Sequence, residues 1–304
     1  MDAARLRTPY ALLTKLFLRQ FLENDLISPD GDRTQLLAVV GALSVSLTLF
    51  ISAIMSAGYL GPLMTPGLAA VQSLDDKFFY LSLAMVVTAL VAASQWDVLA
   101  VDPRDAAILE PLPVKAGTIR RAKVSAIAIL GGGVACALNF FPSLVFPWML
   151  VFTLRQMSGF GLLGLVIVHA LVTVTAAAFG YLVVIALRES LVALLGRRGF
   201  TAASPWAQGA LIVLLGSAVL LLPVASDGIG QRGFDGWRAK SPPMWFLGAY
   251  EMAVGGVIAD LPRTEMRPRQ AATDLAMTEV YRARRAEFPA MALRAAAAIT
   301  VAFL

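Results

Sequence analysis

The sequence has little of what builds a catalytic or metal site, since its 304 residues include one cysteine and one histidine. Cys136 cannot form a disulfide within the chain, and it lies in an apolar run where we expect a thiol to serve in packing. One histidine and one cysteine cannot form a metal site or a Cys–His pair unless another chain supplies partners. We therefore predict no catalytic centre and no metal site.

Motifs for nucleotide and ester chemistry are also missing. No lysine follows a glycine, so the sequence contains no P-loop, and neither His-Glu-x-x-His nor Gly-x-Ser-x-Gly occurs. We therefore expect this chain to bind no ATP and no other cofactor by itself. A carboxylate-based enzyme that uses Glu251 or Asp260 at the outer surface stays open as an alternative.

Charge is scarce, because 15% of the residues are charged and 58% are hydrophobic. Soluble domains average about 25% charged and about 45–50% apolar residues. The apolar runs are about 20 residues long and unbroken, the length of a transmembrane helix. We predict an all-α integral membrane protein, a polytopic helical bundle of about six spans. Its net charge of +5 does not indicate nucleic acid, because the cations collect beside apolar runs, where they fix orientation.

The pattern divides the chain into four regions. Residues 1–35 are predicted to form a cytosolic amphipathic helix on the membrane surface, with packing on a partner protein as the alternative. Residues 36–225 form a membrane domain with five spans. Residues 226–287 form an extracytosolic loop, in which 244–257 is expected to make a re-entrant or interfacial hairpin. Residues 288–304 start a sixth span that stops without a polar anchor, so we expect the natural protein to continue.

Loop charges set the predicted orientation. The five spans are expected at 36–60, 78–96, 124–146, 160–187 and 207–225. The loops 97–123 and 188–205 hold most of the short-loop cations, whereas the loops 61–77 and 147–158 hold only Lys77 and Arg155. The positive-inside rule then places the N-terminus and the two cation-rich loops in the cytosol.

His169 lies inside the fourth predicted span. An ionisable residue in a span is by default a candidate for function. No aspartate, glutamate, lysine or arginine lies within the runs predicted for the first five spans, so a proton relay has nothing to be built from. We predict that His169 is structural and hydrogen-bonded.

The polar island 97–123 separates the second and third apolar runs. Asp102 followed by Pro103 is a helix start signal, and Pro111 and Pro113 push the residues before them out of helical geometry. We predict a short surface helix, a stiff Glu-Pro-Leu-Pro turn and a second helix that runs into the membrane. A solvated loop with a proline turn is the alternative.

Three stretches resemble permease subunits of the type-2 ABC exporter class. Leu-Glu-Pro-Leu-Pro-Val at 109–114, followed by Ile-Arg-Arg-Ala-Lys at 119–123, resembles their cytosolic turn and the run into the third span. Ser-Pro-Pro-Met-Trp-Phe at 241–246 is similar to a Pro-Pro-x-Trp-Phe sequence in some of these permeases. The N-terminal amphipathic helix is similar to their membrane-surface helix, so the resemblance covers the layout from residue 9 to about 300.

The resemblance implies a function. The chain would be a transmembrane permease subunit of an ATP-driven exporter, paired with a second permease half as a homo- or heterodimer. It would lie among membrane lipids in the plasma (inner) membrane of a bacterium, with six spans and a cytosolic N-terminus. A separate ATP-binding cassette subunit would bind ATP and push the short cytosolic helix. The implied ATPase-coupling residues are Pro103, Ile108, Leu109, Glu110, Pro111, Leu112 and Pro113, and the implied inner-surface anchors are Arg120, Arg121 and Lys123.

Two other classes of function remain as alternatives. A membrane-embedded enzyme would need a polar cluster at one depth of the membrane. A non-transporting scaffold or sensor would use 226–287 as an extracytosolic binding module. The cargo cannot be read from the sequence, although spans without charges favour a hydrophobic cargo.

Overall fold

The structure is a computed structural model that describes residues 9–22, 46, 48–61, 64–96, 114–154, 159–234, 236–255 and 268–303. Within these ranges the chain is helical and contains no strand, which confirms the all-α prediction. Three helices are long and apolar enough to cross a membrane, namely Pro66–Ser94, Gly117–Thr153 and Gly161–Ser226.

Ten helical elements can be described. They are α1 (Pro9–Leu22), α2 (Thr48–Leu60, which ends in the 3-10 turn Gly58–Leu60), α3 (Pro66–Ser94), α4 (Ala116–Leu154), α5 (Gly159–Ser226), α6 (Ile229–Arg232), α7 (Trp237–Lys240), α8 (Pro242–Val254), α9 (Pro268–Arg285) and α10 (Phe288–Phe303).

Helix α3 is the central element, and most of its side chains are buried against α4, α5, α8 and α9. Thr65 caps its N-terminus by accepting a hydrogen bond from the amide of Leu68, and Pro66 occupies the first helical position. Its 29 residues give a length of roughly 43 Å, which exceeds the roughly 30 Å of a bilayer's hydrocarbon core. The loop predicted at 61–77 is wrong for residues 66–77, because Thr65 and Pro66 start the helix there.

Helix α5 is two helices joined at Gly196. The φ of Gly196 is 66° and its ψ is 169°, a combination that a residue with a Cβ rarely adopts. The part after the break runs back along α3, because Ser204 contacts Trp96 and Gln208 contacts Ala93. The chain thus reverses direction within the connection predicted at 188–205, but it remains helical there apart from Gly196.

The first part of α5 packs closely on α3. A Cβ at Gly180 would lie 2.4 Å from the carbonyl oxygen of Met85, so only glycine permits this approach. Thr88 strengthens the same contact, because its hydroxyl lies 2.7 Å from the carbonyl oxygen of Ala177.

Helix α4 continues past its predicted end at 146 to Leu154, with Pro142 and Pro147 inside it. Proline removes a backbone donor, but membrane helices tolerate it where neighbours satisfy the freed carbonyls. Cys136 is exposed on this helix, so the packing role expected for its thiol is wrong for this chain.

The segment predicted as a long loop at 226–287 contains α6, α7, α8 and α9. Helix α8 packs on α10 so closely that a Cβ at Gly248 would lie 2.3 Å from the Cβ of Met291. Helix α9 returns to the start of α3, where a side-chain oxygen of Asp274 accepts a hydrogen bond of 2.5 Å from the amide of Gly67. The described parts of this segment thus pack on the helical core.

Candidate functional site

The predicted coupling segment cannot be placed in the fold. The seven residues named for it lie outside the described part of the chain, and they are Pro103, Ile108, Leu109, Glu110, Pro111, Leu112 and Pro113. Of the three predicted anchors, Arg120 belongs to α4 but its side chain is outside the description, whereas Arg121 and Lys123 are described. The site can therefore be built from what borders the segment and from what the core contains.

A cluster of charged side chains, which we call the charged junction, lies at the first half of α3. Its members are Asp75, Asp76 and Lys77 on α3 and Glu251 on α8. The three consecutive residues of α3 point at three different elements, because successive helix positions are about 100° apart. One turn of α3 therefore holds three neighbouring segments.

Lys77 and Glu251 form a buried ion pair. The Nζ of Lys77 lies 2.5 Å from Oε1 of Glu251, and both side chains are 0% exposed. Tyr281 of α9 donates its hydroxyl to the other oxygen of Glu251, and Nζ of Lys77 also lies 4.9 Å from the ring centroid of Tyr250. Two charges this far from water are expensive unless each is paired and hydrogen-bonded, and here both conditions are met.

The two aspartates fix the neighbouring turns. Asp76 accepts a hydrogen bond of 2.5 Å from the hydroxyl of Tyr59 at the end of α2. Asp75 accepts bonds of 3.0 Å and 2.6 Å from the amides of Gly228 and Gly230. The Asp75 carboxylate thus accepts from backbone amides that have no helical partner at the start of α6. Together with Glu251, the aspartates bring the ends of α2 and α5 and the helix α8 to one end of α3.

His169 lies beside the charged junction. Its Nδ1 is 3.2 Å from the hydroxyl of Tyr250, and its ring is enclosed by Tyr80 and Phe146, with centroids 5.6 Å and 5.3 Å away. Its Nε2 is buried without a hydrogen-bond partner among the described residues. The prediction of a hydrogen-bonded His169 is confirmed at Nδ1. Charged residues from outside the predicted spans nevertheless lie close to it, because Tyr250 contacts both His169 and Lys77.

The charged junction is a structural contact that joins α3 to its neighbouring elements. Lys77 and Glu251 are fully buried, so in this conformation a substrate cannot reach them. No group of three His, Cys, Asp or Glu side chains suited to a metal ion occurs among the described residues. Burial, followed by the charge of Glu251, raises the pKa of the Tyr281 hydroxyl. Tyr281 therefore remains a hydrogen-bond donor to Glu251 at neutral pH.

Trp96 stands at the other end of α3, directly before the predicted coupling segment. It is 0% exposed, its indole N–H donates to Oγ of Ser204 over 2.9 Å, and its carbonyl accepts from Nε of Arg188 over 2.8 Å. Its ring stacks on Phe200, with the ring planes 16° apart. Trp96 is therefore the point where both parts of α5 are fixed to α3.

The border that follows the predicted coupling segment is packed by α1. Leu13 and Phe17 are buried against Ala122 and Ala126 of α4. Lys123 is 5% exposed, and its Nζ lies 5.6 Å from the centroid of the Phe17 ring, which favours a cation over the aromatic face. Lys123 is thus held inside the contact between two helices, and its role as an inner-surface anchor stays a prediction.

Comparison of the chain with family models, with curated proteins and with solved structures gives no match. The charged junction was missed in the sequence, although a signal was present. Lys77 and Glu251 are charges of opposite sign at apolar stretches, and such charges usually have a partner in the folded bundle.

Proposed function

We propose that this chain is the transmembrane permease subunit of an ATP-driven exporter, and that a separate ATP-binding cassette subunit supplies the ATP hydrolysis. One observation supports this proposal best. The residues described on either side of the segment 97–113 are buried, namely Trp96 directly before it and Lys123 with its neighbours ten residues after it. A coupling element needs such stiff attachments, because a push on a loose loop would not move the helices.

The two borders belong to different groups of helices. Trp96 fixes α3 to both parts of α5, whereas Lys123 belongs to the contact between α4 and α1. A displacement of the segment between them would therefore shift one group against the other. Pro111 and Pro113 stiffen the segment, and the apolar face of Ile108, Leu109 and Leu112 would dock on the ATPase.

The proposed membrane arrangement has six spans. Helices α2, α3, α4 and α10 contribute one each, and α5 contributes two because it reverses at Gly196. Its two reversing parts meet the same end of α3, at Trp96, which supports a common cytosolic side for the loops 97–123 and 188–205. Asp75 and its partners at Gly228 and Gly230 then lie on the opposite side, which supports an extracytosolic 226–287.

The remaining parts of the proposal follow the resemblance. A second permease half completes the transporter as a homo- or heterodimer in a bacterial plasma membrane, with the N-terminus in the cytosol. The alternative of a scaffold or sensor receives less support from the fold. Helices α6, α8 and α9 pack on α3, so the described parts of 226–287 belong to the core and do not form a free binding module.

The test is a purification of the tagged full-length protein in mild detergent, with ATPase activity assayed and bound proteins identified by mass spectrometry. We expect an ATP-hydrolysing partner that is lost with Leu112→Asp, because a charge on the docking face opposes burial. The matched control is Leu194→Asp, because Leu194 is 81% exposed beside the Gly196 reversal. It should leave the partner bound.

Two results would count against the proposal. A folded membrane-inserted protein that retains no ATPase would favour the scaffold alternative. An ATPase that is retained equally by both variants would remove the coupling role from the segment 103–113.

A further inference from the structure

Four helices bring polar side-chain atoms into the interior of the bundle that have no hydrogen-bond partner among the described residues. Each of these side chains is at most 6% exposed. They are the hydroxyls of Ser52 and Ser56 on α2, Tyr80 on α3 and Ser143 on α4, and Nε2 of His169 on α5. A buried polar atom without a partner is costly, so a group of them from several helices requires an explanation.

The ring of Phe146 brings these helices together. Its centroid lies 5.5 Å from that of Tyr80 and 5.3 Å from that of His169. It also lies 6.2 Å from the ring of Tyr59 at the end of α2. Ser143 precedes Phe146 by three positions, so both lie on one face of α4. The unpartnered atoms of α3, α4 and α5 therefore belong to one region of the bundle.

A line of hydroxyls, which we call the polar seam, continues this region between α2 and α3. Its members are Ser52, Ser56 and Tyr59 on α2, and Asp76 and Tyr80 on α3. At one level Tyr59 donates to Asp76. Four positions after Asp76, the hydroxyl of Tyr80 is near enough to that of Ser52 to interact with it, yet neither has a direct hydrogen bond. Two facing hydroxyls that do not bond directly indicate a bridging molecule.

The serines of the polar seam differ from other buried hydroxyls of the bundle. Ser73, Thr88 and Thr173 each donate over 2.7 Å to a carbonyl three or four positions earlier in their own helix. Ser52 and Ser56 make no such bond. Their hydroxyls are therefore left to bond across the seam.

The chemistry of the polar seam selects water as its occupant. A hydroxyl both donates and accepts, and a buried water does the same, typically through about three hydrogen bonds to otherwise unpaired groups. A cation would accept no hydroxyl proton, and the carboxylate of Asp76 already receives the Tyr59 hydroxyl. An apolar molecule would leave every hydroxyl unpaired.

We propose that the polar seam binds ordered water, and that one such water bridges the hydroxyls of Ser52 and Tyr80. Tyr80 is the middle residue of α3 (Pro66–Ser94). The bound water therefore reaches from the charged junction to the middle of this span, where the aromatic rings of Phe146 and His169 enclose it. The inference concerns the interior of the bundle and does not depend on export.

The test is hydroxyl-radical labelling of the full-length protein by X-ray radiolysis, with oxidised peptides read by mass spectrometry, because radicals formed from a bound water oxidise the side chains beside it. We expect Tyr80, although 2% exposed, to be oxidised several times faster than Tyr281. Tyr281 is 4% exposed and its hydroxyl is bonded to Glu251. A scavenger that stays in bulk water should suppress oxidation of Tyr10, which is 40% exposed, and spare Tyr80.

Ser52→Val, which replaces the hydroxyl and fills the space of the bridging water, should reduce Tyr80 oxidation to the level of Tyr281. Ser52→Ala, which removes one bond and leaves the space, should reduce it in part. The matched control is Thr88→Val, since Thr88 is also buried on α3 but bonds to backbone carbonyls, and it should leave Tyr80 oxidation unchanged. Circular dichroism verifies that each variant is folded.

Three results would overturn the proposal. Equal oxidation of Tyr80 and Tyr281 in the wild type would show a dry seam. Suppression of Tyr80 and Tyr10 in parallel by the scavenger would show that bulk water enters by opening of the bundle. An equal effect of Ser52→Val and Thr88→Val would remove Ser52 from the water site.

Discussion

Lys77 and Glu251, which are 174 positions apart in the chain, meet in an ion pair of 2.5 Å from which water is excluded. Neither charge could stay buried at this place without the other, so the pair fixes where α8 lies on α3. The first prediction concerns what happens when one member is removed.

Lys77→Met or Glu251→Leu alone should destabilise the protein by about 3–5 kcal/mol, because each leaves a buried partner unpaired. The double variant Lys77→Met with Glu251→Leu should lose clearly less than the sum, since no orphaned charge remains. Chemical unfolding in detergent micelles measures these differences. The exposed pair Arg232–Asp227, 3.4 Å apart with side chains 69% and 70% exposed, is the control, and Arg232→Met should cause no measurable change. Additive losses in the double variant would show that the pair is not coupled.

Tyr281→Phe tests the second bond to Glu251. It leaves one carboxylate oxygen buried without a donor, so we expect a loss of about 1–3 kcal/mol in the free energy of unfolding. Tyr10→Phe removes a hydroxyl whose bond to Ser125 is exposed, and water can replace it there. Unfolding of the two variants should therefore differ, and equal behaviour would contradict the role given to Tyr281.

Trp96→Phe tests the border of the proposed coupling segment. The substitution removes the indole N–H and leaves Ser204 without its donor, so we expect a loss of about 1 kcal/mol. Under the export proposal, Trp96→Phe should also weaken the stimulation by this chain of the ATPase activity of its copurified partner. The control is Trp206→Phe on the same helix as Ser204, because Trp206 is 82% exposed and should tolerate the change. If the Trp96→Phe complex kept the wild-type stimulation of ATPase activity, the packing of Trp96 would not contribute to transport.

Gly180→Ala tests the approach of α3 and α5. Its Cβ would meet the carbonyl oxygen of Met85 at 2.4 Å, and forcing packed helices apart typically costs about 1–3 kcal/mol. Gly209→Ala and Gly216→Ala on the same helix would meet nothing within 4 Å, so they should be neutral or stabilising, because alanine favours a helix more than glycine does. Thermal unfolding of the three variants side by side measures the contrast, and a similar effect at all three positions would contradict it.

A cysteine scan tests the proposed sidedness. In a Cys136→Ala background, Gln231→Cys should react with an impermeant maleimide in intact cells, because Gln231 is exposed in the segment assigned to the outside. Thr201→Cys, exposed beside the α5 reversal, should react only after permeabilisation. The reverse pattern would invert the topology.

The sequence predicted the helical class well and the ends of the helices poorly. Long apolar runs determine where helices lie, since burial in lipid leaves the backbone no other structure. The ends depend on individual residues. Pro66, the first residue of α3, lies twelve residues before the predicted span at 78–96, and α4 continues through Pro147, which the sequence predicts to lie in a loop.

The charged junction could not be predicted from local patterns. Its charged side chains find their ion-pair and hydrogen-bond partners only in the folded protein. Asp75, Asp76 and Lys77 together are typical of a solvated loop. Their burial depends on Glu251, Tyr59 and the Gly228 turn, which no short window of sequence contains. At the opposite end of α3, Trp96 was recognised as a border residue, but its contact with Ser204 joins positions 108 residues apart.

The long separation between Lys77 and Glu251 also has a consequence for biosynthesis. At about 5–20 residues per second, a ribosome adds the 174 residues between them in roughly 10–35 s. During that interval α3 has been made and its lysine has no acidic partner from α8. The nascent chain must therefore keep this end of α3 at the hydrated membrane border, or shielded by the insertion machinery, until α8 emerges. Completion of the bundle is then a late event that a ribosome stalled before residue 251 could not reach.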